Sequence, residues 1–276
     1  MKNDRVKVLS GFKNVIKSKK ALIGTSAGIG LVAKCQAYAG ADFIVVDNPA
    51  KFRMGGHGSI GGFLAFSNST NNLIQQVKEI LPVSGSTPVF AGVTAQEPFE
   101  SHTLIVKQLL EMGVAGVCNS PTVGFWDDFN AENFKKLGIG YDKEVDLIQY
   151  AHDQDIPTIA FCFNKKQAEL MTQAGADIII ADLGLTTGGT VGAKTTYSRE
   201  MSILKIQEIA DTVHSIDFDR IVICHGGILS NPKIVRQILN ELTNVVGFLG
   251  GSATDRIPME ESITEMARQF RLNRLY

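Results

Sequence analysis

Eight short apolar segments recur along the chain: KALIG at 20–24, DFIVV at 42–46, PVFAGV at 88–93, VAGVC at 114–118, PTIAF at 157–161, DIIIA at 177–181, RIVIC at 220–224 and VVGFL at 245–249. Each is a near-continuous hydrophobic run, not an alternation of apolar and polar positions. That pattern is expected of parallel strands buried on both faces. Between the runs the periodicity becomes helical. In 230–242, SNPKIVRQILNEL, Asn231 is placed to cap, Pro232 suits the first helical position, and Ile234, Val235, Ile238, Leu239 and Leu242 form one apolar stripe. Segment 198–213 repeats the design with Met201, Leu204, Ile209 and Val213.

Eight strand-and-helix units in 276 residues, with no linker or low-complexity tract between them, predict a single (β/α)8 TIM barrel over 1–276. The charged segment 1–19 is expected to be an N-terminal helical extension capping the barrel floor. Two nonapeptides nearly coincide, AGADFIVVD at 39–47 and AGADIIIAD at 174–182, and they fall at the second and sixth strands. Convergence of helix-to-strand turns on Gly-Ala-Asp accounts for them without a deeper repeat. The segments after strands two, four and six (48–70, 119–141, 182–197) are long. In a barrel those connections emerge on the catalytic face.

One motif argues for a different fold. GTSAGIG at 24–30 follows an apolar run and opens a helical one, and Asp47 closes the next run, the layout of a dinucleotide-binding βαβ unit. A short-chain dehydrogenase of that spacing also needs a Tyr-x-x-x-Lys pair, and no tyrosine here has lysine four places on. The barrel reading makes GTSAGIG the loop after strand one, and neither nicotinamide nor flavin is expected.

Composition adds exclusions. A net charge of −1 gives no electrostatic reason to expect nucleic acid or an anionic membrane as partner. No apolar run approaches membrane-spanning length, and the first twenty residues are too charged for a signal peptide. Four scattered cysteines without a C-x-x-C pair suit reduced thiols, so a cytoplasmic protein is expected.

The residues at the predicted strand ends should converge on one cavity. His225, followed by Gly226 and Gly227, is the candidate general acid or base, and Glu97 a second catalytic candidate. Asp47 and Asp182 are a candidate Mg2+ pair, with local loop hydrogen bonding as the competing account. Gly226, Gly227, Gly250 and Gly251, with Ser252 and Arg256, are placed to bind an anion at the rims of strands seven and eight. Asn48, Asn119, Thr187 and Gly188 add hydrogen-bonding candidates, and Arg53 a carboxylate clamp. GLTTGGTVGAK after strand six reads as a mobile lid or a flexible loop. No lysine ends a strand, which disfavours Schiff-base chemistry.

Taken in order, the stretches at 24–62, 88–99, 119–128 (NSPTVGFWDD), 139–156, 174–193 (with GLTTGG) and 225–232 (HGGILSNP) resemble the phosphoenolpyruvate hydrolase-like TIM-barrel family over nearly the whole chain. The resemblance implies a (β/α)8 barrel near the phosphoenolpyruvate and pyruvate barrel enzymes, assembled as a homo-oligomer. Two functions stay open. One is an enzyme acting on a small carboxylate, phosphorylated or of 2-oxo acid type, by hydrolysis or carbon–carbon lysis. The other is a ligand-sensing or protein-binding barrel with little turnover.

Overall fold

Strands buried on both faces need helices outside and side chains inside, and the chain meets both demands by closing its sheet. In a computed structural model describing residues 5–274, eight parallel strands pair in sequence order and β8 pairs back with β1. The strands are β1 (Leu22–Ser26), β2 (Phe43–Val46), β3 (Val89–Gly92), β4 (Gly116–Cys118), β5 (Thr158–Cys162), β6 (Ile178–Asp182), β7 (Ile221–His225) and β8 (Gly247–Gly250). The helices are α1 (Arg5–Lys17), α2 (Gly30–Tyr38), α3 (Asn48–Met54), α4 (Ser69–Ile80), α5 (His102–Met112) and α6 (Asp128–Lys136). They continue as α7 (Asp142–Asp153), α8 (Lys165–Gln173), α9 (Arg199–Ile216), α10 (Pro232–Leu239) and α11 (Arg256–Arg271). The (β/α)8 barrel expected from the eight runs is the fold, and the open sheet that a short-chain dehydrogenase requires is ruled out by the β8–β1 pairing.

The inward-facing residues, among them Leu22, Phe43, Phe90, Ile159, Ile180 and Ile223, form a core inside the barrel that reaches down to α1. Phe12 of α1 is buried at its floor, its ring 5.5 Å from that of Phe43, which in turn meets Phe90 edge-on at 5.7 Å. Residues 1–4 of the anticipated extension lie outside the described residues.

GTSAGIG is not simply a loop, which corrects the sequence reading. Gly24, Thr25 and Ser26 belong to β1, and a Cβ at Gly24 would stand 2.1 Å from the Phe43 ring. Gly28 presses on α3, where a Cβ would meet the Ala50 carbonyl oxygen at 2.2 Å. These glycines serve close packing; the resemblance to a dinucleotide motif arises from that need.

The near-repeat also has a physical basis. Gly40 and Gly175 take left-handed φ values of 83° and 88° after their helices. Asp42 then accepts the Ile23 N–H at 2.7 Å and Asp177 the Thr158 N–H at 2.9 Å, each fastening the preceding strand. Asn231 caps α10 as anticipated, accepting from Lys233 and Ile234, although the helix stops at Leu239. Among the described residues no helix is long and apolar enough to cross a membrane.

Candidate active site

A narrow cavity of about 50 Å³ opens at the carboxyl ends of the strands. One wall is aromatic. Phe125 stacks on Phe63 at 5.6 Å and meets Phe163 at 5.9 Å, while Phe161 stands edge-on to the His225 ring at 5.9 Å. The other wall is polar and carries Asp47, Arg53, Ser120, Thr122, Asp182, Thr186, His225 and Ser252.

His225 ends β7, registered directly against Asp182 at the end of β6. Its Nδ1 lies 2.8 Å from the Leu249 carbonyl oxygen. A carbonyl only accepts, so Nδ1 carries a proton and donates it, which leaves Nε2 as the ring nitrogen with a free lone pair. Asp182 accepts the Gly184 N–H at 2.7 Å. Burial pushes its carboxyl up to about 6, while the nearby His225 pulls the other way.

Arg53 rises from α3 and is buried, its Nε donating to Asp255 at 2.6 Å and its Nη2 to Ser26 Oγ at 2.6 Å. Those two bonds fix the guanidinium plane and leave Nη1 without a partner among the described residues, and Arg53 lines the cavity. Asp255, wholly inside the protein, is held above the ordinary carboxylate range by burial against the lowering effect of Arg53.

Asp47 is committed locally. Its Oδ1 accepts the Ala50 N–H at 2.9 Å, capping α3, and its Oδ2 accepts the Ser120 hydroxyl at 2.6 Å. Asp47 and Asp182 do line one cavity, but both oxygens of the first are already bonded. Among the described residues no group of three or more His, Cys, Asp or Glu could hold a metal. Asp47 and Asp182 therefore do not form a two-carboxylate cage for Mg2+, and Asp182 is the one of the pair with an oxygen not already bonded among the described residues.

Other anticipated residues lie away from the cavity lining. Glu97 accepts from Thr70 Oγ1 at 3.0 Å and the Phe99 N–H at 3.3 Å, holding the turn after β3. Asn48 donates to the Gly62 carbonyl at 2.9 Å and accepts from Asn72 at 2.8 Å. Arg256 is turned elsewhere, donating to Glu260 at 2.9 Å and to the Gly188 carbonyl at 3.0 Å. Thr187 bonds the Gly227 carbonyl, and Gly226 and Gly227 make a left-handed turn packed on Gly184 and Leu183. A Cβ at Gly250 would strike Thr254 at 2.1 Å, so that glycine serves the turn after β8. Gly251 is the rim glycine beside the site, where a Cβ would stand 3.0 Å from His225 Cε1.

Asn119 is buried and supports the site from behind. It donates to Glu144 at 2.6 Å and accepts the Phe161 N–H at 2.7 Å. Glu144, from the first turn of α7, went unnoticed in the sequence, because a helix written DKEVDLIQY gives no sign that this acid faces inward. It accepts four bonds, from Gln96, Asn119, Thr122 and the Val123 N–H, at 2.6 to 3.0 Å. Burial pushes its carboxyl up to about 7 against those four donors. The same clamp sets the segment that carries Ser120, Thr122 and Phe125 to the cavity.

Residues 7–272 match the description "Phosphoenolpyruvate hydrolase-like". The chain belongs to the phosphoenolpyruvate hydrolase-like family. Within curated proteins, this family member is 41% identical over 267 residues to the ToMV susceptible protein tm-1(GCR26) of Solanum lycopersicum, covering 97% of the chain and 35% of the tomato protein. It is 29% identical over 256 residues to y4pA of Sinorhizobium fredii, covering 92% of the chain and 42% of that protein. The chain thus spans about a third of the length of the tomato relatives. Solved barrels share its fold. Phosphonopyruvate hydrolase in complex with oxalate and Mg++ aligns over 96% of the chain and 87% of its own, at 15% identity and a TM-score of 0.59. 2,3-dimethylmalate lyase aligns over 98% and 88%, at 16% identity and a TM-score of 0.61.

Proposed function

We propose that the barrel is an enzyme for a small carboxylate of the 2-oxo acid or enolpyruvate type, phosphorylated or not, cleaving it by acid–base catalysis. The observation that carries this reading is the convergence of Arg53, the Asp182–His225 pair and an aromatic wall on one narrow cavity. A fixed guanidinium presents a planar pair of donors to a carboxylate. His225, proton-bearing at Nδ1, takes or gives a proton through Nε2, and Asp182 stabilises the imidazolium that results. The phenyl rings exclude water and strengthen these interactions. Hydroxyls of Thr186 and Ser252 complete the polar wall and are suited to a second carboxylate or a phosphate, whereas those of Ser120 and Thr122 already donate to Asp47 and Glu144. When bound, Mg2+ at Asp182 would supply charge stabilisation to an enolate oxygen. Structural neighbours named for phosphonopyruvate hydrolysis, dimethylmalate cleavage and oxaloacetate acetylhydrolase activity support the substrate class. Homo-oligomeric assembly and a cytoplasmic setting, where the free thiols of Cys35, Cys118, Cys162 and Cys224 stay reduced, belong to the same reading.

Turnover of oxaloacetate, phosphonopyruvate and phosphoenolpyruvate, with and without Mg2+, tests it against a His225→Ala variant. Product formed by the parent and lost in the variant supports the enzyme. The names of the tomato relatives favour a second reading, a ligand-sensing or protein-binding barrel. Thermal stabilisation by oxalate, retained in His225→Ala with no product from any substrate, would favour that sensor.

A further inference from the structure

The charges around the cavity decide between a phosphorylated and an unphosphorylated acid. A phosphate or phosphonate group carries close to two negative charges at neutral pH, and sites that hold one gather cations and unpaired N–H groups around it. Among the described residues that line the cavity, Arg53 is the single lysine or arginine. Its charge is balanced by Asp255 at 2.6 Å, a carboxylate that is itself buried. Asp47 and Asp182 line the same cavity, and neither pairs with a lysine or arginine among the described residues. Asp47 accepts bonds at both oxygens, as an ionised carboxylate does. The cavity is thus negative before any ligand enters.

The groups that could offset this charge are engaged elsewhere. Arg256 donates to Glu260 and to the Gly188 carbonyl. Gly226 and Gly227 press on Gly184 and Leu183, and Gly250 on Thr254, so these turns face protein and form no cradle for an anion. The Thr186 and Ser252 hydroxyls and Arg53 Nη1 keep donors without a partner among the described residues. Those hydroxyls can bond an uncharged oxo oxygen as readily as an anion, and the surrounding charge favours the former.

The opposite wall is closed to charge. Phe125 stacks on Phe63, meets Phe163 edge-on, and abuts the segment after β6, where a Cβ at Gly184 would stand 3.5 Å from Phe125 Cε2. A phosphate pressed against these rings would lose its water and gain no partner, whereas a methyl or methylene group is stabilised by the same contact.

Resting on the small-carboxylate reading above, we propose that the cavity selects a short unphosphorylated 2-oxo acid, its carboxylate at Arg53 and its apolar end on Phe125, and rejects phosphate and phosphonate groups. The family's description names a phosphorylated acid; the cavity of this chain lacks what such an acid requires.

Calorimetry on the full chain compares glyoxylate, 2-oxobutyrate, phosphoenolpyruvate and inorganic phosphate, in EDTA and again in MgCl2. In EDTA, 2-oxobutyrate should bind about 100-fold more tightly than phosphoenolpyruvate, whose added charges face Asp47 and Asp182. Mg2+ should narrow that gap without reversing the order. Asp182→Asn removes one wall charge and should narrow it about tenfold in EDTA. Phe125→Ala should weaken 2-oxobutyrate about tenfold and leave glyoxylate, which has no apolar end, nearly unchanged. Phosphoenolpyruvate or phosphate binding as tightly as 2-oxobutyrate in either buffer overturns the selection while leaving a site for small acids in place. A gap unchanged in Asp182→Asn, or equal losses for both oxo acids in Phe125→Ala, overturns it as well. Failure of every acid to bind overturns the small-carboxylate reading and this inference together.

Discussion

Asp182 and His225 are direct neighbours across the β6–β7 pair, each the last residue of its strand, and they reach the cavity together. The register of two parallel strands thus sets the spacing of a carboxylate and an imidazole, with no loop involved. A pair of side chains built on strands is held more rigidly than one built on loops.

His225 should matter to rate far more than to fold. Replacing it with alanine removes the proton-exchanging nitrogen and one bond to the Leu249 carbonyl. We expect turnover to fall by about 100-fold or more. The urea midpoint should move little, and steady-state kinetics beside denaturation separate the two effects.

Asp182 should oppose stability at neutral pH. Its carboxyl is raised from 3.8 to about 6 by burial, so the folded state favours the protonated form. The protein should accordingly lose stability as pH rises from about 4 to about 6, by roughly 1–3 kcal/mol from this group. Asp182→Asn retains an oxygen for the Gly184 N–H and has no charge to bury. Urea denaturation at pH 4.5 and 7.5 should show a smaller drop in the variant, and a variant more stable than the parent at pH 7.5 but inactive.

Arg53 should separate binding from folding according to the replacement chosen. Arg53→Ala leaves Asp255 buried without its cation, which costs about 3–5 kcal/mol. Arg53→Lys keeps a charge near Asp255 yet loses the planar donors at the cavity. Calorimetry with oxalate should show affinity weakened about tenfold or more in the lysine variant.

Glu144 should act on the site from behind. In Glu144→Gln an amide N–H2 faces groups that all donate, so some bonds are lost outright. The expected cost is about 2–4 kcal/mol, measured by urea denaturation. Trp126, the single tryptophan, lies in the clamped segment and meets the Phe125 ring at 6.1 Å. A red shift of its emission in the variant under native conditions would show the segment loosened; an unchanged spectrum would place the effect elsewhere.

The barrel was legible because its determinants are local and repeated. Eight buried runs announce eight strands, Asn231 and Pro232 announce a helix start, and Gly-Ala-Asp announces a turn. His225, Asp182, Arg53, Asp47 and Ser252 could be placed at the cavity for the same reason, since barrel topology carries strand ends and the segments after them to one face. Glu97, Asn48 and Arg256 also follow strand ends, yet each turns to a partner brought near only by folding: Thr70, Gly62 and Gly188. The sequence by itself determined the order of elements and the face on which chemistry gathers, because hydrophobic periodicity and capping act over a few residues. Tertiary structure alone decided that Glu144 points inward, that Gly24 makes room for Phe43, and that Arg256 at the start of α11 reaches the Gly188 carbonyl. Those outcomes depend on contacts between segments far apart in the chain, whose geometry no local pattern encodes.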